Sequence, residues 1–595
     1  MVCFTTRPEI RGNFGVVTST HWIASAVGMS ILEKGGNAFD AAVATGFVLQ
    51  VVEPHLNGPA GDLPILLRPT GEAPRVICGQ GTAPKAASAQ AMRALGIDLI
   101  PGSGLLATVV PGAFDGWMLL LRDYGRLELK DVLAPAIWYL REGHPLLPSV
   151  ASTIERLQPF FVQHWPSSAE VWTPGGKVPQ PHHPFRNLAL AATWDRILAE
   201  ATGESREARI DSARQVWRNG FVADAIGAFL KTARVMDVTG QCHSAFLTRD
   251  DIARWQARAE PTVTIDYHGW SIHKTGPWGQ GPVLLMALQI LRNFDLAELD
   301  PLGEQFVHIV TEAIKLAWAD REAYFGDPDF FDIPLSTLLS EDYGRVRAAT
   351  IGEEATMEQR PGRISGYESL ADAAIARATR CTGIEDDPAT GEPTMAHLTE
   401  MRGDTVHIDV IDRWGNMVSA TPSGGWLQSS PAISGLGFAL NSRAQMFWLE
   451  DGLASSLHPG ARPRTTLTPS LAFHEDGRAL AFGTPGGDQQ DQWQLIWFLR
   501  MVHHGYDLQA GIDAPLFHSQ HFQASFFPRE AHPARLVIEE SMGTDTIEAL
   551  RRRGHEVATA EAWSVGRLTA AMRLPDGTLQ AAATPRLMQA YAVGR

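Results

Sequence analysis

The amino-acid sequence predicts a mixed α/β protein in which helices pack on two β-sheets. Apolar residues recur at helical spacing in several long segments, of which 304–324 is the clearest. In the second half of the chain, short segments of alternating apolar and polar residues, typical of strands, are interleaved with further helical segments. This interleaving favours a layered α/β architecture.

Composition excludes several classes of protein. The 595 residues are 45% hydrophobic and 19% charged, an ordinary globular balance. At about 150 residues per domain, this length allows about four domain-sized units. The formal net charge of −16 repels polyanions, so we expect no nucleic-acid partner. No apolar run approaches about 18 residues, which argues against a membrane span.

The N-terminal region is expected to belong to the fold, not to a signal peptide. Polar residues at 18–21 interrupt its apolar stretch, and no small-residue cleavage site follows. The pattern predicts a strand at 15–18, a helix at about 21–34 and a second helix at 38 to about 52, capped by Asn37. The four cysteines lie far apart without a CxxC pair, which fits a reducing cytoplasm.

The middle of the chain changes character twice. Residues 125–260 are mostly helical in pattern, whereas 344–404 are poor in large apolar residues and predict an exposed, mobile segment. From Thr405 a strand is expected, with a turn at 413–416 and a return strand at 417–421. Later strands are predicted at 471–473, 479–482, 535–539 and 570–573, and later helices at 490–504 and 544–554.

Common catalytic and cofactor motifs do not occur in the sequence. It contains no phosphate-binding GxxxxGK[ST], no HExxH, no GxSxG and no dinucleotide-binding GxGxxG after a strand. The adjacent histidine pairs at 182–183 and 503–504 do not converge on one metal from a regular element. We therefore expect neither a metal nor a cofactor.

Thr405, at the junction between the loose segment and the strand, is a candidate catalytic residue. A threonine hydroxyl is a poor nucleophile without an adjacent base, but an N-terminal threonine carries its own α-amine, with a pKa of about 7.7–8.0. Attack of the Thr405 hydroxyl on the Asp404 carbonyl, followed by hydrolysis of the ester, would create that N-terminus. The sequence therefore suggests self-cleavage between Asp404 and Thr405.

Three loops offer groups that could complete such a site. Gly486 and Gly487, after a strand and before a helix, can direct backbone N–H groups at a tetrahedral oxyanion. The hydroxyls of Thr465 and Thr466 lie on a second loop, and Ser423-Gly424-Gly425 forms a third. Each feature alone also fits an ordinary strand start, turn or backbone-bonded hydroxyl. The residues by themselves leave both readings open.

Several segments together resemble the γ-glutamyltransferase family of N-terminal nucleophile hydrolases. The resemblance extends over nearly the whole chain. The segments that carry it are Gly35-Gly-Asn-Ala-Phe-Asp-Ala-Ala-Val43, Val110-Pro-Gly-Ala-Phe-Asp-Gly116, His308-Ile-Val-Thr-Glu-Ala-Ile-Lys-Leu-Ala-Trp-Ala-Asp-Arg321, Gly326-Asp-Pro-Asp329 and Thr405-Val-His-Ile-Asp-Val-Ile-Asp-Arg-Trp-Gly-Asn416.

The resemblance implies a four-layer αββα sandwich, a large subunit of residues 1–404 and a small subunit of 405–595. It makes Thr405 the nucleophile that follows the cut, and it implies subunits that derive from one precursor. The other roles that it implies are oxyanion donors at Gly486 and Gly487, a hydroxyl at Ser423 that assists the nucleophile, and substrate contacts from Thr465 and Thr466.

Departures from the family pattern concern substrate binding. Gln80 stands where glutamyl-specific members have an arginine for the donor's α-carboxylate, and Met446 stands where an acid binds the α-amine. Gly425 replaces an expected asparagine. An amide cannot replace a bidentate guanidinium, which argues against efficient glutathione cleavage. Arg443 is a candidate for another substrate anion, although a framework ion pair explains it equally well.

The first hypothesis is thus a self-processing threonine hydrolase or acyltransferase acting on a small amide. A true γ-glutamyltransferase, with other residues replacing the missing charges, is the second. A non-catalytic binding protein on the same scaffold is the third, and the retained Thr405 and glycine pair argue against it. The acyl group, the acceptor and a homodimer of the processed pair stay open.

Overall fold

Two large antiparallel sheets form the centre of the molecule. The structure is a computed structural model that describes residues 4–381, 405–588 and 590–595. Its strands, numbered in chain order, are β1 (Ile10–Gly12), β2 (Gly15–Ser19), β3 (Leu63–Arg68), β4 (Arg75–Gly79), β5 (His144–Pro145), β6 (Pro184–Phe185), β7 (Val235–Met236), β8 (Cys242–His243), β9 (Arg258–Pro261), β10 (Val263–Tyr267), β11 (Trp270–Lys274), β12 (Ile408–Asp412), β13 (Met417–Ala420), β14 (Ser470–His474), β15 (Ala479–Gly483), β16 (Phe517–Ser519), β17 (Arg535–Glu539), β18 (Glu556–Ala560), β19 (Thr569–Arg573), β20 (Leu579–Ala583) and β21 (Tyr591–Gly594).

Helices accompany the sheets, and most of them pack in the two cores on the outer faces of the sheets. They are α1 (Trp22–Glu33), α2 (Ala38–Val52), α3 (Ala89–Ala94), α4 (Ala113–Tyr124), α5 (Leu129–Glu142), α6 (Pro148–His164), α7 (Pro166–Trp172), α8 (Leu188–Glu200), α9 (Arg206–Asn219), α10 (Phe221–Thr232), α11 (Arg249–Arg254), α12 (Pro282–Leu291), α13 (Glu304–Tyr324), α14 (Leu335–Leu338), α15 (Glu341–Ala348), α16 (Glu368–Cys381), α17 (Gln490–His504), α18 (Leu508–Asp513) and α19 (Thr544–Arg552). Among the described helices, none has both the length and the apolar character needed to cross a membrane.

The order of the strands mixes the two halves of the chain. One seven-stranded sheet runs β21-β2-β12-β13-β3-β4-β9, and the other runs β1-β20-β19-β15-β14-β11-β10. In both sheets, strands from before residue 382 lie beside strands from after residue 404. Each half of the chain alone therefore supplies only an incomplete sheet.

Three apolar cores define four layers. Helices α1 and α2 pack on the outer face of the first sheet, and α12, α13 and α17 pack on the outer face of the second. A third core lies between the sheets and contains Val16, Ile411 and Leu471. This arrangement confirms the αββα sandwich that the family resemblance implies.

Local signals in the sequence located several elements well. Helices α2, α13 and α17 have the predicted bounds. Asn37 caps α2 through a capping box with Asp40. The strand expected after Thr405 is confirmed from Ile408 onward. Its Ile408 and Val410 belong to the core under the helices, whereas Ile411 belongs to the core between the sheets.

The structure differs from the expectation of an exposed, mobile segment at 344–404. Its described part, 344–381, contains the end of α15 and all of α16. Ala371 and Ala374 of α16 are buried in the core that contains α13. Small alanine side chains suffice to pack this helix, so the lack of large apolar residues misled the prediction. Residues 382–404, including Asp404, lie outside the described residues.

Candidate active site

Thr405 lies at one end of the first sheet, just before β12. It forms an antiparallel bridge with Ser423, and its Oγ1 lies 3.1 Å from the Ser423 Oγ. The exposed fractions of the two residues are 0% and 1%. The regular strand begins three residues later than predicted, at Ile408. The predicted nucleophile and its predicted helper are therefore brought together.

Thr405 begins a row of polar residues across the end of this sheet. Ser423 bridges Asp62 on its other side. Leu63 pairs with Gly79, so the register extended by one residue places Gln80 opposite Asp62. Adjacent strands are about 4.8 Å apart, which puts Gln80 about 14 Å from Thr405. The row thus runs from the candidate nucleophile to the candidate specificity position.

Asp62, which the sequence analysis did not single out, is the partner of Arg443 in a buried ion pair. Its Oδ1 accepts a hydrogen bond from the Arg443 Nε at 2.8 Å, and both side chains are almost fully buried. The Thr465 hydroxyl donates to Oδ2 at 3.3 Å. Burial raises the pKa of Asp62, while the charge of Arg443 opposes that shift. The Arg443 guanidinium also lies over the Trp426 ring, 4.8 Å from the ring centroid. These contacts agree with Arg443 as part of a framework ion pair.

The predicted oxyanion loop follows β15 of the second sheet. Gly486 and Gly487 have positive φ angles of 126° and 57°, and a short 3₁₀ helix at Gly487–Gln489 leads into α17. A Cβ atom on Gly486 would lie 2.4 Å from the Trp493 ring, so the backbone must approach the ring closely. The Gly486 carbonyl accepts the Gln489 N–H at 3.1 Å. Two consecutive glycines thus form a turn of the kind that binds anions.

A buried charged network lies behind this loop. Arg321 of α13 donates to Asp488 at 2.5 Å and to the Gln280 side chain at 2.8 Å. Gln280 in turn donates to the Gly487 carbonyl at 3.3 Å. Burial alone would raise the pKa of Glu322, but surrounding guanidinium groups, with Arg464 and Arg321 the strongest, lower it to about 2. Helix α13, which contains the segment His308–Arg321 of the family resemblance, therefore supports the loop through ion pairs.

The remaining predicted substrate residues are all buried. Gly425 has a φ of 67°, and a Cβ there would lie 2.9 Å from the Gly61 nitrogen. Thr466 is 1% exposed, and Met446 is fully buried in a short 3₁₀ helix. Backbone geometry and packing at these three positions thus shape the site at least as much as their polar groups do.

Gln80 is one of the residues that line a cavity. The cavity has a volume of about 400 Å³ and is also lined by Thr82, Arg258 and Arg462. Gln80 is fully buried, and neither atom of its side-chain amide has a hydrogen-bond partner among the described residues. A buried amide without a protein partner lacks the hydrogen bonds that such groups normally make, which sets Gln80 apart from the polar groups around it.

One group of described residues brings possible metal ligands together, away from this site. Donor atoms of His308, Glu312 and His555 lie within 4.8 Å of one another. Glu312 already binds Lys315 at 2.5 Å and Arg360 at 2.8 Å, and the two histidines share a hydrogen bond of 2.9 Å. These cations compensate the carboxylate and would repel a metal ion. The absence of a metal stays a prediction.

Comparisons with known proteins agree with this geometry. The family model described as Gamma-glutamyltranspeptidase matches residues 24–594. A glutathione hydrolase-like YwrD proenzyme of Bacillus subtilis is 29% identical over 97% of this chain and 98% of its own length. An oxamate amidohydrolase proenzyme of Klebsiella pneumoniae is 30% identical over 96% and 97%, respectively. The solved structure of LmbA2991HD has a TM-score of 0.91 and 50% identity, with complete coverage of both chains. The chain therefore belongs to the γ-glutamyltranspeptidase family and is a self-processing amidohydrolase or acyltransferase.

Proposed function

We propose that the chain cuts itself between Asp404 and Thr405, and that Thr405 then cleaves a small amide other than a γ-glutamyl compound. The observation that carries the proposal is the contact of 3.1 Å between the buried hydroxyls of Thr405 and Ser423. Both belong to the sheet end from which the polar row reaches the Gln80 cavity. The nucleophile thus lies at one end of the row, next to the assisting hydroxyl, and the candidate specificity position lies at the other end.

The chemistry follows from the groups around Thr405. After the cut, the α-amine of Thr405 takes the proton of the hydroxyl as Oγ1 attacks the substrate carbonyl. Backbone N–H groups of Gly486 and Gly487 stabilise the tetrahedral oxyanion. Its collapse expels the amine, which receives the proton, and leaves an ester on Thr405. Water hydrolyses this ester, or an acceptor amine takes the acyl group.

The specificity follows from three positions. A γ-glutamyl donor presents a carboxylate and an ammonium group, whereas Gln80 is neutral and Met446 is apolar. Arg443 does not replace the missing cation, because its charge is compensated by Asp62 at 2.8 Å. The name of the Klebsiella relative shows that an amidohydrolase within the family acts on the small amide oxamate. We therefore favour a small acyl group without the amino-acid end of glutamate.

The two fragments produced by the cut are expected to stay associated. In the first sheet, β12 lies between β2 from the first fragment and β13 from the second. Separation would break the hydrogen bonds along β2 and β12 and expose the apolar cores on both faces. We accordingly propose a stable pair of large and small subunits.

One observation favours a true γ-glutamyltransferase as the second candidate. Arg258 and Arg462 line the cavity with Gln80 and could bind a carboxylate there. Both guanidinium groups already have carboxylate partners, however: Glu260 pairs with each, and Asp327 pairs with Arg462 at 2.6 Å. A substrate carboxylate would have to compete with these ion pairs.

A panel of anilides that differ only in the acyl group tests the substrate class. It compares γ-glutamyl, glutaryl, pentanoyl and oxamoyl anilides on the cut protein, with Thr405→Ala as the control. We expect kcat/KM for at least one non-glutamyl anilide to exceed that for the γ-glutamyl anilide by about 10-fold or more. A ratio of about this size corresponds to the loss of one hydrogen bond to a charged group of the γ-glutamyl compound. Preference for the γ-glutamyl anilide would establish the second candidate. Failure of every anilide and of threonine acylation would favour a binding protein.

A further inference from the structure

His407 connects the segment that carries Thr405 with the loop that carries the oxyanion donors. We propose that His407 is a positioning residue, which holds the Thr405 hydroxyl and the Gly486–Gly487 loop in register for acyl transfer. This inference rests on the function proposed for Thr405. His407 lies two residues after Thr405 and is fully buried between the two sheets.

Hydrogen bonds fix the orientation of the imidazole. Its Nε2 lies 2.9 Å from the Asp409 Oδ1, and its Nδ1 lies 2.9 Å from the Thr421 Oγ1. Because a carboxylate only accepts, Nε2 donates to Asp409. The second Asp409 oxygen accepts the hydroxyls of Thr18 at 3.1 Å and of Thr569 at 2.8 Å. The ring therefore has little freedom to rotate.

The flat ring supports the backbone of the opposite sheet. A Cβ atom on Gly483 would lie 2.2 Å from the His407 Cε1 and 2.5 Å from its Nε2. Gly483 ends β15, three residues before Gly486. Any side chain at Gly483 would thus displace either the ring or the start of the loop.

These contacts join three parts of the site through one side chain. His407 lies on the Thr405 segment, Thr421 lies two residues before Ser423, and Gly483 leads to the Gly486 loop. A displacement of about 1 Å in a reacting group can reduce a rate by about 100-fold. A buried histidine with only a folding role would instead affect stability and leave the acylation rate of the folded enzyme unchanged.

A β-lactone that acylates N-terminal threonine provides a test that does not depend on the natural substrate. The Thr405 Oγ1 forms an ester with the lactone carbonyl, the ring C–O bond breaks, and the released alkoxide receives the hydroxyl proton through the α-amine. The maximal acylation rate, kinact, depends on the geometry of attack, whereas the half-saturating concentration, KI, reports binding. Both are measured by mass spectrometry on the cut fraction of each variant.

The variants are His407→Ala, Gly483→Ala and the double variant, with Thr405→Ala as the control. We expect each single substitution to lower kinact by about 10- to 100-fold and to change KI by less than about 3-fold. In the double variant the new methyl group occupies space that the imidazole leaves, so we expect its kinact to exceed that of the slower single variant. A double variant no faster than the slower single variant overturns the inference.

Two further outcomes separate this inference from the proposed function. If His407→Ala does not fold, Gly483→Ala and the isosteric Thr421→Val carry the test, and normal kinact in both overturns the inference. If the wild type is not acylated at Thr405, the proposed function itself fails. Normal acylation of the wild type and of every folded variant removes only the role of His407.

Discussion

The hydroxyl oxygens of Thr405 and Ser423 lie 3.1 Å apart in a fully buried part of the first sheet. The backbone bridge between the two residues fixes this distance, since directly opposed residues in an antiparallel pair point to the same face. A nucleophile held in this way needs little reorganisation before attack. The contribution of the Ser423 hydroxyl to the reaction can therefore be measured by replacing this side chain alone.

Replacing Ser423 tests whether its hydroxyl assists Thr405. We expect Ser423→Ala to lower kcat/KM by about 3- to 10-fold on the best anilide of the panel, the value of about one hydrogen bond. Ser423→Thr keeps a hydroxyl and is expected to stay within about 3-fold of the wild type. Steady-state kinetics measure both effects, and unchanged activity in Ser423→Ala would remove the assisting role.

Gly486→Ala tests the oxyanion loop. The new Cβ would lie 2.4 Å from the Trp493 ring at a φ of 126°, so the loop must move. We expect kcat to fall by about 100- to 1,000-fold, the usual effect of losing an oxyanion donor. Gly435→Ala is the matched control, because Gly435 also has a positive φ but has no atom within 4 Å of a new Cβ. Equal losses in both variants would contradict a specific role for the loop.

The contributions of Asp62 and Arg443 to the free energy of unfolding are expected to be coupled. Arg443→Met leaves a buried carboxylate without its guanidinium partner and should reduce the free energy of unfolding by about 3–5 kcal/mol. The double variant Asp62→Asn, Arg443→Met removes both charges and should be more stable than Arg443→Met alone. Urea unfolding of the cut protein measures the cycle. Strictly additive losses would show that the two side chains do not interact.

The acid stability of the protein is expected to depend on Glu322. Its pKa of about 2 in the fold lies below its ordinary value of 4.5. The resulting stabilisation is complete above pH 4.5 and is lost as the pH falls from 4.5 towards 2; it is on the order of 3 kcal/mol. Glu322→Gln cannot titrate. The difference in free energy of unfolding between the wild type and Glu322→Gln should therefore be constant from pH 8 to 6 and shrink below about pH 4.5.

Urea unfolding at a series of pH values provides that comparison. Glu312→Gln is the matched control, because Glu312 is also buried and paired with cations but lies in the separate cluster with Lys315. A difference for Glu322→Gln that stays constant down to pH 3 would contradict the low pKa.

Local sequence signals predict much of the fold, because they act within a few residues. The cap at Asn37 and the apolar stripe of α13 locate their helices, since capping and helical periodicity need no knowledge of distant residues. The packing of α16 could not be predicted in this way. It depends on how closely α13 and its neighbours accept alanine side chains, which only the assembled fold determines.

The site residues also divide into those that the sequence indicates and those whose contacts arise only in the assembled fold. Thr405, Gly486 and Gly487 stand out in the sequence by their position at strand ends and by the family resemblance. Asp62 does not, because its importance comes from Arg443, which lies 381 residues away in the chain. His407 does not stand out either, because in the sequence it is one residue of the strand expected from Thr405. Its contact with Gly483 arises from the packing of one sheet on the other.

The central claim concerns the bond between Asp404 and Thr405, and intact-mass analysis of the purified protein tests it most directly. We predict two chains, with the smaller comprising residues 405–595 and beginning with an unmodified threonine, whereas Thr405→Ala remains a single chain. An enzyme that cleaves amides or accepts the β-lactone with this bond unbroken would contradict the account.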